Sequence, residues 1–221
     1  MTEDALTRYR IHFCKEDRLR YIGHLDLNRA MERTLRRARL PLGYSKGFNP
    51  RVKLNLSSAL PLGCSSSVEL ADIWLLNEVS EDVVLESLRA VSPPGLTVSR
   101  VEVIDLKTPS LQSQIKAFEY QVALSGVGDP SILPGAITAL LEAESLPRTR
   151  RGKAYDLRPL IQALHLNRGD QDSVTLRMVL QAGEGSTGRP EEVLLALGLD
   201  PADTLIERTR LFLEAETSIE N

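Results

Sequence analysis

Cysteine is nearly missing from this chain, and several kinds of chemistry go with it. Among 221 residues only Cys14 and Cys64 are cysteines. A disulfide framework, or a clustered zinc or iron–sulfur motif, needs more of them and closer spacing. Long apolar runs are missing too. No stretch of about 18 uninterrupted apolar residues occurs, so no bilayer-spanning helix is expected. Residues 1–10 have no apolar core of the kind a secretory signal requires, and the expected compartment is a reducing cytoplasm. There is no Walker-type phosphate loop, no complete Gly-x-Gly-x-x-Gly and no Gly-x-Ser-x-Gly elbow. Gly126-Val-Gly128 alone is no nucleotide signature. Only three histidines are present, none in a metal-ligating pattern, so the chain is expected to bind no metal or cofactor itself.

What remains is an ordinary globular composition, 42% hydrophobic and 26% charged, with length enough for two units of about 100 residues. The net charge of −3 conceals an uneven distribution. Residues 8–53 hold thirteen Lys/Arg against four Asp/Glu, and the rest of the chain holds fourteen against 26. Such asymmetry points to an anionic partner for the basic part, or to attraction between the two halves.

The order of elements is read from periodicity. Residues 9–14 alternate as a half-buried strand, and residues 24–38 carry apolar positions at helical spacing. Leu40-Pro41 closes that helix, because proline disfavours helical geometry in the residue before it. Strands follow at 52–56 and 68–75, then a helix whose cap is predicted to be Ser80, then a strand at 96–104. The sequence order repeats more faintly afterwards: strand 118–124, helix 134–144, a hairpin from 160–166 and 173–181, helix 190–197, strand 204–213. Arg148 to Lys153 reads as an exposed basic loop. The fold class predicted is α+β, two ferredoxin-like β-α-β-β-α-β modules in tandem, with antiparallel sheets and helices on one face. The predicted boundaries are a basic module at 1–105, a linker at 106–117 and an acidic module at 118–221.

On a helical wheel the segment 24–38 has two faces. Leu27, Met31, Thr34 and Ala38 share one, and Arg29, Arg33, Arg36 and Arg37 gather on the other. A planar guanidinium can bond two phosphate oxygens at once, so this row suits a polyanion. Asp26 is a candidate cap or an orienting partner for His24, and His24 is a candidate general base with a pKa near neutrality. The turn after the helix, Tyr44-Ser-Lys-Gly-Phe-Asn-Pro-Arg51, interleaves Lys46 and Arg51 with Tyr44 and Phe48. Cations among rings hold phosphates and stack on bases. Gly47, Asn49 and Pro50 shape the turn. Phe48 either plugs the core or faces a ligand.

The run YIGHLDLNRAMERTLRRARLPLGYSKGFNPRVKLNLSSALPLGCSSSVE resembles the radical-SAM-linked domain of unknown function. The pieces that carry the resemblance are His-Leu-Asp-Leu at 24–27, Glu-Arg-x-x-Arg-Arg-Ala at 32–38 and Gly-Phe-Asn-Pro at 47–50. Later landmarks are Ala59-Leu-Pro-Leu-Gly63, Arg158-Pro159, Arg189-Pro190 and Arg208-Thr209. This chain departs from the pattern at Gly23, where the family often has Ser, and at Arg51-Val52, where it often has His-Pro. The resemblance implies a radical SAM protein as partner; this chain has no three-cysteine motif with which to cleave S-adenosylmethionine. The repeated strand–helix order, with a histidine near the first helix, is also faintly similar to the RNA-processing endonucleases of CRISPR systems. Three functions are therefore expected to compete. The first is an accessory protein that binds RNA, tRNA or rRNA, and presents it to a radical SAM enzyme. The second is a metal-independent ribonuclease using His24, and the third a scaffold that docks an acidic protein.

Overall fold

The structure, a computed structural model, describes residues 6–124, 130–169, 173–183 and 187–214. It divides into two compact units, residues 1–114 and 115–221.

The first unit runs β1 (Thr7–Lys15), α1 (His24–Arg37), β2 (Leu54–Leu56), β3 (Ser65–Leu75), α2 (Glu81–Arg89), β4 (Leu96–Ile104) and a short α3 (Leu111–Gln114). Its strands lie in the order β4-β1-β3-β2, every pairing antiparallel. Alternation decides which face is greasy. Tyr9, Ile11 and Phe13 of β1 and Ala71, Ile73 and Leu75 of β3 join one core cluster with Leu27, Met31 and Leu35 of α1 and Val84 and Leu88 of α2. Each such large apolar side chain contributes about 1.5–3 kcal/mol on burial.

The opposite face of β1 and β3 carries buried charge at Arg8, Arg10 and Asp72. Arg10 stands directly across from Asp72 and Arg8 from Trp74. Asp72 accepts from Arg10 Nε at 2.9 Å and Nη2 at 3.2 Å, and from Arg8 Nη2 at 2.5 Å. Arg8 also donates to the carbonyls of Thr108 and Pro109 and lies 5.1 Å from the Trp74 ring centre. Two guanidiniums thus share one fully buried carboxylate.

The second unit runs β5 (Ile115–Ala123), α4 (Leu133–Glu142), β6 (Pro147–Arg150), β7 (Lys153–Asp156), β8 (Ile161–Arg168), β9 (Val174–Gln181), α5 (Pro190–Ala196) and β10 (Leu205–Leu213). The order β10-β5-β9-β8 is again wholly antiparallel, with the hairpin β6–β7 pairing only with itself. In its interior Arg208 is fully buried, 3.9 Å from the Phe118 ring centre and 5.5 Å from that of Tyr120, whose hydroxyl accepts from Nη2 at 3.1 Å.

Several sequence expectations need correcting. The stretch 106–117 expected as a linker contains α3, with Leu111 buried, and the start of β5. Its tie is polar as much as apolar: Gln112 Nε2 donates to Leu56 O at 2.6 Å. Residues 148–153 form the turn and flanks of a hairpin, with Arg151 and Gly152 at φ 48° and 76°. Two successive left-handed residues make the tight turn that a two-residue hairpin loop needs. Ser80 occupies the cap position of α2 without a side-chain bond. Gly126 to Gly128 and the tip of the predicted hairpin at 170–172 lie outside the described residues.

Candidate nucleic-acid interface

Helix α1 starts from Gly23, so the cap falls there and not on Asp26, which lies in the first turn. A carboxylate there and Arg36 and Arg37 in the last turn both complement the helix dipole. Leu27, Met31, Thr34 and Leu35 are buried, and the Thr34 hydroxyl donates to Ala30 O at 3.0 Å. Arg29, Arg33, Arg36 and Arg37 are all exposed. They are not equally free. Arg29 Nη1 meets Asp26 at 3.1 Å, and Arg36 Nη2 meets Glu32 at 2.8 Å. The hydrogen bonds that Arg36 donates to the Glu32 carboxylate raise the Arg36 pKa. Arg33 and Arg37 have no ion pair or side-chain hydrogen bond among the described residues. Exposed pairs of this kind are worth about 0–1 kcal/mol and give way to a phosphate at little cost.

The turn that follows is closed at its base. Tyr44 bridges Val52, Ser45 N–H donates to Arg51 O at 2.8 Å, and Arg51 N–H donates to Ser45 Oγ at 3.0 Å. Lys53 N–H adds a bond to Gly43 O at 2.9 Å. Residues 46–50 project beyond this clasp and are exposed throughout, with Arg51 exposed at its edge. Gly47 takes φ 141°, a conformation that a side chain resists. The choice left open for Phe48 resolves outward: its exposure is 100%.

Tyr44 joins helix to loop. Its hydroxyl accepts from Arg36 Nη1 at 3.1 Å, and the guanidinium carbon lies 5.4 Å from the ring centre. The arginine row and the aromatic loop therefore form one continuous surface, though Tyr44 itself is already in contact with a cation. Lys46, Phe48, Asn49 and Pro50 stand at the loop's outer end.

His24 is the first residue of α1 and half-buried, and Asp26, offered as its orienting partner, is engaged by Arg29 instead. No group of three or more His, Cys, Asp or Glu residues able to hold a metal occurs among the described residues.

The sequence reading missed a neighbouring feature. A 3-10 turn, Asp17–Tyr21, precedes α1 and borders a cavity of about 610 Å³ lined by Asp17, Arg18, Arg20, Tyr21 and Pro94. Arg20 lies 4.8 Å from the Tyr21 ring centre. The clue was present as a second cation–ring alternation, Arg18-Leu-Arg-Tyr21, hidden in a stretch without apolar periodicity. The charge count also needs trimming. Arg8 and Arg10 are buried on Asp72, and Lys15 is buried with Nζ reaching Arg20 O and Ile22 O at 3.4 and 3.2 Å. Three of the thirteen basic residues thus build the fold and offer nothing to a partner.

A sequence profile described as "Uncharacterized protein conserved in bacteria (DUF2344)" matches residues 8–190. The chain belongs to this family. The match begins in β1 and ends at the first residue of α5, so it spans the first unit from β1 onward and the second unit of the DUF2344 chain as far as the start of α5. No curated protein matches the chain. Among solved structures, it is similar to a chain of the archaeal box H/ACA sRNP Nop10–Cbf5 complex, with 13% identity and a TM-score of 0.45. A Cbf5–Nop10–Gar1 complex gives 12% identity and the same TM-score. Each likeness covers 92% of this chain, which spans about half, 48%, of the matched chain. A likeness so loose assigns neither fold nor function to the DUF2344 chain. No described helix is long and apolar enough to cross a membrane.

Proposed function

We propose that this DUF2344 chain is a cytoplasmic accessory protein that binds RNA and presents it to a radical SAM enzyme. The observation that carries the reading is the fully exposed phenyl ring of Phe48, held out on a clasped loop beside the arginine row of α1. A ring left in water forgoes about 1.5–3 kcal/mol of burial, so the fold gains nothing from it there. Single-stranded RNA supplies the complement: splayed bases for the ring, phosphates for Arg29, Arg33, Arg36, Arg37, Lys46 and Arg51. The radical SAM partner rests on the family resemblance of the segments at 24–27, 32–38 and 47–50. Each unit is read as a ferredoxin-like module, supported by strand orders that place the fourth main strand beside the first.

The test is RNA affinity as a function of salt. Six phosphate contacts on a single strand give a log–log slope of about −4, and Arg33→Ala/Arg37→Ala flattens it by about 1.4. Affinity that does not change with salt, or a double variant with the wild-type slope, overturns the reading.

A further inference from the structure

The second unit carries an excess of acid, sixteen Asp/Glu against eleven Lys/Arg. Even so, four of those eleven cations line one hollow. A cavity of about 630 Å³ opens beside the β6–β7 hairpin, with Arg150, Arg151, Lys153 and Arg189 on its walls together with Tyr155 and Leu160. A mere solvated face would spread its cations among the acids of so acidic a unit. Here Arg150, Arg151 and Lys153 have no ion pair among the described residues, and Arg189 has only Glu191, at 3.5 Å. Among the described residues, Glu191 and Glu192 are carboxylates that face this group, Glu192 through its charge on Tyr155.

We propose that this cavity binds a phosphate-bearing ligand. Crowded guanidinium and ammonium groups repel one another around a hollow, and a phosphate dianion placed among them turns that repulsion into charge-assisted bonds. The hairpin is built to hold them. Arg151 and Gly152 complete its tight turn, and Arg150 pairs across from Lys153. Asp156 pins the base, its carboxylate accepting from Leu146 N–H at 2.8 Å and Arg158 N–H at 2.9 Å. Tyr155 adds a donor: burial raises its pKa above the ordinary phenol value, against the opposing pull of Arg150, Arg148 and Arg189, so the hydroxyl keeps its proton. Leu160, buried at the wall, offers an apolar contact to whatever carries the phosphate. The site lies wholly in the second unit and does not depend on the RNA-binding reading of α1.

Titration calorimetry on the full chain tests it, using inorganic pyrophosphate and a short RNA oligonucleotide carrying either a 5′-phosphate or a 5′-hydroxyl. Saturable binding of pyrophosphate assigns the cavity to a free phosphorylated compound. A preference for the 5′-phosphorylated over the 5′-hydroxyl strand, without pyrophosphate binding, assigns it to an RNA end. In either case Arg150→Ala/Lys153→Ala weakens binding at least about tenfold, two charge-assisted contacts being lost. Arg33→Ala/Arg37→Ala leaves the pyrophosphate affinity and the 5′-phosphate preference unchanged, which separates this site from the α1 surface. Unfolding temperatures of both variants show whether they are folded, and Tyr155→Phe, a smaller change, gives a second reading of the cavity. If neither pyrophosphate nor the 5′-phosphate is bound, or if Arg150→Ala/Lys153→Ala and Tyr155→Phe both bind as wild type does, the proposal is wrong.

Discussion

Phe48 and Asp72 are opposite cases of a residue placed against its usual preference. Phe48 is apolar and fully exposed; Asp72 is charged and fully buried. Removing the ring of Phe48 deletes no packed contact, so Phe48→Ala should leave unfolding stability within about 0.5 kcal/mol of wild type, as surface changes do. It should weaken RNA binding by about 1–3 kcal/mol, the measure of a lost stacking contact. Equal affinity by fluorescence anisotropy would show that the ring is idle. Asp72→Ala strips the carboxylate bonded to two buried guanidiniums, those of Arg8 and Arg10. Breaking a buried pair by removing one partner costs about 3–5 kcal/mol. Urea unfolding should therefore show a large fall in midpoint. These two residues also mark the limits of the sequence. The position of Phe48 in a Gly-containing turn left both directions open, because nothing local states whether a neighbouring core has room. Arg8 and Arg10 sat on the polar face of an alternating strand, where water was the natural assumption. Only the cross-strand register supplies Asp72 from 62 positions away.

At the scale of elements, α1 was the most legible part, since 14 residues of strict amphipathic spacing fix both its length and its inward face. The hairpin β6–β7 was not. Its strands are four residues each and barely buried, so no apolar alternation marks them. Its base is held instead by Asp156, whose pKa is lowered first by the backbone bond from Leu146 and then by that from Arg158. A carboxylate with a depressed folded pKa adds stability that is fully present above its unfolded value, the ordinary aspartate value near 3.8, and is lost as pH falls through the lower folded value. Thermal melts of wild type and Asp156→Ala should therefore differ by a constant gap near neutrality, and the gap should close in strong acid. A gap that persists there would mean that the carboxylate's charge is not what holds the hairpin.

On the scale of the whole molecule, the two units use one strand order twice, and apart from α3 and the hairpin β6–β7 the order of strands and helices was readable because each of those elements keeps its own period. The break between the units, after residue 114, falls inside the segment 106–117 expected as a linker, but the structure of that segment was not readable. Residues 106–117 are polar and weakly patterned, and what fixes them is a set of bonds to distant backbone, such as Gln112 to Leu56. The net charge of the basic segment likewise overstated what a partner meets, since burial removes Arg8, Arg10 and Lys15 from the count. The outward set of Phe48 has one further consequence. Chymotrypsin cleaves after aromatic side chains in segments that stand clear of the body, and a fully exposed phenylalanine on a projecting loop is such a substrate in the native protein. Brief digestion should release a fragment ending at Phe48, and bound RNA should act as a footprint that delays the cut.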